Sequence, residues 1–145
     1  MRQCRLILKA SFVGFCIFII ILMETAVCFA ISCSFTQTTS TLSFGNLNPS
    51  SSANATSTVT IGIRCSGGGN WRLTSTNGLY YNGSTKRMRH QTVLTEYLPY
   101  TVTFSPTTGN RFVTTITGSG TILNSSYVNA YVGNYSDSVI LTISP

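Results

Sequence analysis

Residues that could carry acid–base chemistry are nearly absent from this sequence. Its 145 residues contain three Asp and Glu in total and a single His. Glu24 lies in an apolar N-terminal run, so Glu96 and Asp137 are the remaining carboxylate pair. Hydrolysis of glycosides needs two paired carboxylates, and an activated nucleophile needs a base and an orienting partner. The composition therefore predicts that the protein is not an enzyme.

The same scarcity bears on cofactors and charged partners. His90 follows Arg89 and is predicted to be a solvated loop residue, whereas Asp137 is expected to hydrogen-bond the backbone of a turn. One His and two cysteines cannot fill a tetrahedral shell, so neither a metal nor another cofactor is expected. Beyond residue 30, six cationic residues face two acids. That excess is too sparse to predict nucleic acid as a partner.

The first thirty residues have the composition of an export signal. Three basic residues precede an apolar run from Ala10 to Met23, and small residues stand at Cys28 and Ala30. This order predicts a signal peptide over residues 1–30, with cleavage near Ala30. An uncleaved membrane anchor is less favoured because Glu24 interrupts the run before it reaches about 20 residues. A lipoprotein modified at Cys33 is a third interpretation. Residues 31–145 are then predicted to form one domain.

Cysteine usage fits an exported chain. Cys33 and Cys65 are the two cysteines that follow the predicted signal. Disulfides form and persist outside the reducing cytosol, so one bridge between them is predicted. Two free thiols are the alternative.

The ordered stretches read as β-strands, and none reads as a helix. Residues 56–65 and 98–104 alternate apolar and polar side chains, and Trp71 is predicted to lie at the centre of the core. Asn82-Gly83 predicts a two-residue hairpin turn, and the glycines in residues 118–120 predict a turn between two strands. Short strands with frequent turn signals are typical of a Greek-key sandwich or a barrel.

A further alternating strand occupies residues 135–145. Val139, Leu141 and Ile143 share one face, and the run continues to Pro145. No closing strand follows it in the sequence. We therefore expect a sandwich that exposes an apolar groove lined by these three residues and an unpaired backbone edge, which is a docking site for a strand from another chain.

Several short elements occur together in an order that is shared with a known family. They are Cys33, Leu42-Ser43-Phe44-Gly45, Cys65, Arg87-Met88, Tyr97 and Gly133-Asn134-Tyr135-Ser136-Asp137. On these residues the chain resembles the spore coat protein U domain family over residues 33–145. The resemblance implies an incomplete immunoglobulin-like sandwich that lacks its final strand. It also implies a subunit of an archaic chaperone-usher pilus, held by a periplasmic chaperone and completed by another pilus subunit at an outer-membrane usher.

The chain departs from this family in one respect. Polymerising members carry a donor extension before the first cysteine, whereas cleavage after Ala30 leaves only Ile31 and Ser32. This predicts a tip adhesin domain, or the N-terminal half of a longer two-domain adhesin, involved in attachment and biofilm formation. A misassigned cleavage site or a truncated reading frame is the alternative.

One basic and aromatic stretch is the candidate for surface contact. It comprises Tyr80, Tyr81, Lys86, Arg87 and Arg89. Tyrosines stack on sugars or rest on apolar surfaces, and the cations suit anionic groups, so a glycan or an abiotic surface is the expected partner. A solvated loop is the alternative for the basic residues. The alternative for the whole chain is a self-contained secreted β-domain that binds a glycan or a surface without assembling into pili.

Overall fold

Nearly all regular structure in the described part of the chain is antiparallel β-sheet. A computed structural model describes residues 32–145, and the predicted signal peptide lies outside the described residues. The elements are β1 Ser32–Phe35, β2 Ala55–Ser66, β3 Asn70–Ser75, β4 Lys86–His90, β5 Tyr97–Ser105, β6 Thr108–Asn110, β7 Thr115–Ile122, α1 Asn124–Tyr127, β8 Tyr135–Ser136 and β9 Leu141–Ser144. The predicted all-β class is confirmed, with one short helix that the sequence did not reveal.

The strands form a sandwich of two unequal sheets. The larger sheet has the order β1-β2-β7-β5-β4-β8, and the smaller one has the order β6-β3-β9. Neighbouring strands are mostly distant in sequence, as in Greek-key connections. No helix within residues 32–145 is long and apolar enough to cross a bilayer.

One end of the larger sheet packs against the smaller sheet. Ile63 of β2 and Ile116 of β7 face Trp71 and Leu73 of β3, and all four side chains are buried. Trp71 is 1% exposed, which confirms its predicted place in the core. Its indole N–H donates to the carbonyl of Asn110 at 3.0 Å, so the polar end of the ring is satisfied inside the core.

Loops and the short helix cover the other end of the same sheet face. Leu98 and Ile122 are buried there with Tyr127 of α1, and Phe44 from the segment before β2 packs against them. The Tyr127 hydroxyl donates to the carbonyl of Ala53 at 2.6 Å. The smaller sheet therefore spans only part of the core, and local chain closes the rest.

The predicted turn at residues 118–120 is wrong. Gly118 and Gly120 lie inside β7, a continuous strand that pairs with β2 on one side and β5 on the other. On the inner face of the sheet, Val59 and Phe104 fill the space beside Gly118, and Phe44 fills the space beside Gly120. A side chain at either position would overlap these groups, so the glycines mark close packing and not a chain reversal.

The predicted hairpin at Asn82-Gly83 is also wrong. A turn does form there, because the Asn82 side-chain oxygen accepts bonds from the amides of Ser84 and Thr85, and Gly83 has a φ of 95°. The strands that flank the turn, β3 and β4, belong to different sheets. The segment is a connection between sheets, in which Asn82 satisfies the backbone that strand pairing would otherwise satisfy.

Candidate functional site: an open strand edge

The C-terminal run is divided between the two sheets and is not a single strand. β8 ends at Ser136 in the larger sheet, and β9 begins at Leu141 in the smaller one. Asp137 lies at the crossing, where it accepts bonds from the amides of Leu79 and Ser138, each at 2.8 Å. Its second oxygen accepts the hydroxyl of Tyr100 at 2.7 Å. The expected bond from Asp137 to turn backbone is therefore present.

Tyr100 lies at this crossing, where its hydroxyl is bonded to Asp137. Burial raises the pKa of Tyr100, and its hydrogen bond to Asp137 raises the pKa further. The ionised phenolate would lose water and would also face a carboxylate, so the neutral hydroxyl is strongly favoured in the folded state.

β9 is hydrogen-bonded along one edge only. It pairs with β3, and the amide of Thr76 donates to the carbonyl of Ile140 at 2.9 Å just before the strand. Bonded pairs alternate along an antiparallel ladder, so the N–H and C=O groups of Leu141 and Ile143 point away from β3. Within residues 32–145 those groups have no strand partner.

The side chains of the same two residues point into the sandwich. Leu141 and Ile143 are half-buried and pack on the core between the two sheets. Val139, the third predicted groove residue, is half-buried just before the strand, whereas Ile140 is 66% exposed. The two β9 residues therefore present backbone polar groups sideways and apolar groups inward. That they form an acceptor groove stays a prediction.

β1 lies close to β9 on the same side of the sandwich without pairing with it. Cys33 of β1 is directly opposite Cys65 of β2, and the two form a disulfide with an S–S distance of 2.08 Å. The predicted bridge is confirmed. Cys33 and Phe35 are half-buried against the same core as Leu141. The disulfide therefore ties the outermost strand of the larger sheet to its neighbour beside the open edge.

Such an edge can bind another strand. Main-chain hydrogen bonds would form along β9, and alternate side chains of the incoming strand would face the core beside Leu141 and Ile143. Among residues 32–145 there is no cluster of three His, Cys, Asp or Glu side chains that could hold a metal ion.

The basic and aromatic stretch is folded differently from the solvated loop considered above. Lys86 to His90 form β4, a strand between β5 and β8. The guanidinium of Arg87 lies 4.3 Å from the centre of the Tyr97 ring, and that of Arg89 lies 4.5 Å from the centre of the Tyr80 ring. We refer to Tyr80, Arg87, Arg89 and Tyr97 as the Arg–Tyr cluster.

The structure adds one residue to the predicted surface site and separates two others from it. Tyr97 was missed because its neighbours come from the strand register of β4 and β5, which no local motif specifies. The ammonium of Lys86 instead donates to the carbonyl of Thr76 at 2.7 Å, and burial lowers its pKa. The Tyr81 hydroxyl bonds the carbonyl of Gly83 at 2.8 Å. A binding role for the stretch stays a prediction.

The expected solvated position of His90 is wrong. The residue is 3% exposed, and its Nδ1 accepts bonds from the amides of Thr92 and Val93 at 3.1 and 2.9 Å. Its Nε2 lies 3.2 Å from the carbonyl of Val132. The ring of Tyr135 packs edge-on against it. Sequence alone could not show this, because the covering loop lies about forty residues away along the chain.

Of the comparisons with known proteins, the match to a family model agrees with the sequence resemblance. No curated protein matches the chain. A solved structure that matches is the CsuC–CsuE chaperone–tip adhesion subunit pre-assembly complex from the archaic chaperone-usher Csu pili of Acinetobacter baumannii. The match has 18% identity and a TM-score of 0.46, and it covers 80% of this chain and 40% of that chain. The model of the Spore Coat Protein U domain matches residues 20–142. The chain therefore belongs to the spore coat protein U domain family.

Proposed function

We propose that the chain is a subunit of a surface pilus assembled by the chaperone-usher pathway, in which a strand from another polypeptide completes the sandwich along β9. The observation that carries this proposal is the outer edge of β9. Within residues 32–145 the backbone groups that Leu141 and Ile143 turn to that edge have no strand partner, while their side chains pack on the core. Membership of the spore coat protein U domain family supports the same conclusion.

The partners follow from the physics of such an edge. An unpaired strand with apolar side chains promotes aggregation unless another chain covers it. A periplasmic chaperone would cover it after export, and a second pilus subunit would replace the chaperone strand at an outer-membrane usher. The protein would therefore pass through the periplasm and end at the cell surface.

Within the pilus we assign the domain to the tip, as an adhesin that supports attachment and biofilm formation. Tip placement rests on the predicted cleavage near Ala30, which would leave too short an extension to donate a strand. Mass spectrometry of the secreted N-terminus tests this, since ten or more residues before Cys33, enough for a short strand, would remove the argument.

Exposed apolar side chains support attachment to an abiotic surface. Val132 is 95% exposed, and Tyr131 and Leu94 are 60% and 54% exposed. Leu94 lies in the loop after β4, and Tyr131 and Val132 lie in the loop before β8. The two loops are joined by a hydrogen bond from the amide of Gln91 to the carbonyl of Asn134 at 2.8 Å. Large apolar groups grouped on adjoining loops are typical of an interaction surface.

A peptide experiment tests strand addition directly. The exported full chain is mixed with a peptide of about nine residues, long enough for one strand, in which Val and Thr alternate. A peptide of the same composition with its valines in one block is the control. We expect the alternating peptide to raise the melting temperature and to slow amide exchange at Leu141 and Ile143, and the blocked peptide to do neither.

A self-contained secreted domain that binds a glycan or a surface is the second candidate. It is favoured by the well-buried centre of the core, where Ile116 is 0% exposed, and by the disulfide. The same experiment separates the two. If the chain without peptide is a cooperatively folded monomer whose Leu141 and Ile143 amides are already protected, strand addition is excluded and the second candidate stands.

A further inference from the structure

Two arginines are held side by side on the outer face of the larger sheet. Arg87 and Arg89 are two residues apart on β4, so their Cα atoms are about 6.6 Å apart and their side chains leave the same face. Met88 between them points the other way and packs on the core. Tyr97, opposite Arg89 in the ladder, shares the outer face with them.

The aromatic rings fix these guanidinium groups in place. Tyr80 and Tyr97 lie 6.1 Å apart, and each has one guanidinium over its ring. The Nε of Arg87 also donates to the carbonyl of Tyr80 at 3.1 Å. Side chains ordered before binding lose less entropy when a ligand arrives. The terminal N–H groups of a guanidinium form a rigid fork that suits carboxylate and sulfate oxygens.

The charge that would complement this pair is not supplied from within the described chain. Residues 32–145 contain Glu96 and Asp137 as their acidic side chains. Both oxygens of Asp137 already accept hydrogen bonds at the sheet crossing. Glu96 acts instead on Tyr135, whose pKa is raised first by burial and then by the Glu96 charge. Within residues 32–145 neither arginine has a carboxylate partner, so both guanidinium groups are available to an anion of another molecule.

The cluster lies on the outer face of the larger sheet, whereas the open edge belongs to the smaller sheet. In the larger sheet β2, β7 and β5 separate β4 from β1, which lies beside β9. A strand bound along β9 would therefore leave the outer face of β4 uncovered. Assembly and ligand binding at the Arg–Tyr cluster are compatible in one molecule.

We propose that the Arg–Tyr cluster binds an acidic polysaccharide, whose carboxylate or sulfate groups bind Arg87 and Arg89. The inference rests on the proposed display of this domain at the cell surface, where such polymers are encountered. Two fixed cations at strand spacing match a chain of repeated anionic sugar units. They supply too few charges for the broad salt-dependent contact that nucleic acids require.

Binding is tested with the exported full chain, purified with any strand-donating partner that accompanies it. The probes are heparin for sulfate, polygalacturonate for carboxylate and dextran as a neutral polymer. We expect heparin or polygalacturonate to bind and dextran not to bind. Arg87→Gln/Arg89→Gln should weaken binding by about tenfold to a hundredfold, because two charge-assisted bonds are lost.

A second double variant controls for charge alone. Arg64→Gln/Arg72→Gln removes the same number of charges from exposed positions on β2 and β3, and its binding should change by less than about threefold. Equal weakening in both variants would show diffuse attraction and overturn the site. Binding to anionic lipid vesicles but to neither acidic polymer would also overturn it.

The polymer-binding experiment can succeed or fail independently of the strand-addition experiment. Arg87→Gln/Arg89→Gln should respond to the alternating peptide as the wild type does, because neither side chain faces the open edge of β9. A melting curve matching that of the wild type shows that the variant is folded. If the peptide fails while the polymers bind, the pilus assignment fails and the polysaccharide site stands.

Discussion

Two of the four edge strands of the sandwich, β8 and β9, manage their free edges in opposite ways. β8, at one margin of the larger sheet, is two residues long, and its pairing with β4 is extended by a bond from the amide of Gln91 to the carbonyl of Asn134. The buried ring of His90 holds the adjoining loops through both of its nitrogens. β9, at the margin of the smaller sheet, has unpaired backbone groups and half-buried apolar side chains.

The difference shows what an exposed edge means in a folded domain. Natural sheets usually protect their margins with very short strands, charges or covering loops, as the β8 edge does. The β9 edge is twice as long as β8 and has no strand partner on its outer side within residues 32–145. Since one margin is blunted and the other is not, the open edge of β9 is a local feature and not a general looseness of the fold. Four changes test whether the edges of β8 and β9 differ in this way.

Removing the disulfide should have the largest effect. Cys33→Ser/Cys65→Ser removes a covalent link between residues 32 positions apart. The free energy of unfolding should fall by about 3 to 4 kcal/mol on the chain-entropy model. Urea unfolding of the oxidised protein measures this. Reductant should lower the stability of the wild type similarly and leave the variant unchanged. A loss below about 1 kcal/mol would mean that β1 is held beside β9 without the bridge.

Charging the inner side of β9 should come next. Ile143→Asp places a carboxylate against the core and should destabilise the domain by about 2 to 3 kcal/mol. It should also abolish the response to the alternating peptide. Ile140→Asp is the matched control, since that side chain is 66% exposed and its replacement should change stability by less than about 0.5 kcal/mol. Equal losses in the two variants would contradict the described orientation of β9.

At the opposite margin, His90→Ala should loosen the loops that protect β8. The change leaves the amide of Val93 and its neighbour without an acceptor, so stability should fall by about 2 kcal/mol. Thr92→Ala is the control, because it removes only a hydroxyl and keeps both backbone bonds to the ring. Amide exchange at Gln91 should accelerate in the first variant alone. If exchange at Gln91 does not accelerate in His90→Ala, groups other than His90 protect the edge of β8.

The smallest effect concerns alkaline pH at the crossing between β8 and β9. The pKa of Tyr100 is raised above its ordinary value of 10.0, so the folded protein keeps this proton when the unfolded chain releases it. Its contribution is therefore complete below about pH 10 and is lost as pH rises further. Tyr100→Phe should lower the free energy of unfolding by about 1 kcal/mol at neutral pH. In this variant the free energy of unfolding should also fall less steeply as the pH rises into the alkaline range. Tyr135, whose pKa burial also raises, contributes to the slope that remains. Equal alkaline slopes of stability against pH in the wild type and in Tyr100→Phe would contradict this account.

Alternation in the sequence identifies the strands that lie over the core. Residues 56–65 and 98–104 fall within β2 and β5, and Trp71 occupies the predicted centre. The disulfide is also predictable, because export leaves two cysteines. These features depend on composition or on neighbours two residues apart, which a sequence displays directly.

The errors arise where distant segments determine the local structure. Gly118 and Gly120 read as a turn until Phe104 and Phe44 are seen to occupy the space beside them. His90 reads as exposed until the loop that contains Val132 closes over it. Residues 135–145 read as one strand, because nothing local shows that Asp137 fixes a crossing between sheets. In each case the decisive partner lies more than ten residues away.

The placement of Arg87 and Arg89 on an outer sheet face has a consequence for the strength of the proposed adhesion. If several copies were displayed together on one cell, each would present an identical weak contact, and the first contact would raise the effective concentration of the next. Modest affinity per copy would then suffice for durable attachment. Detachment would require many contacts to open within a short interval, which a single soluble domain could not reproduce.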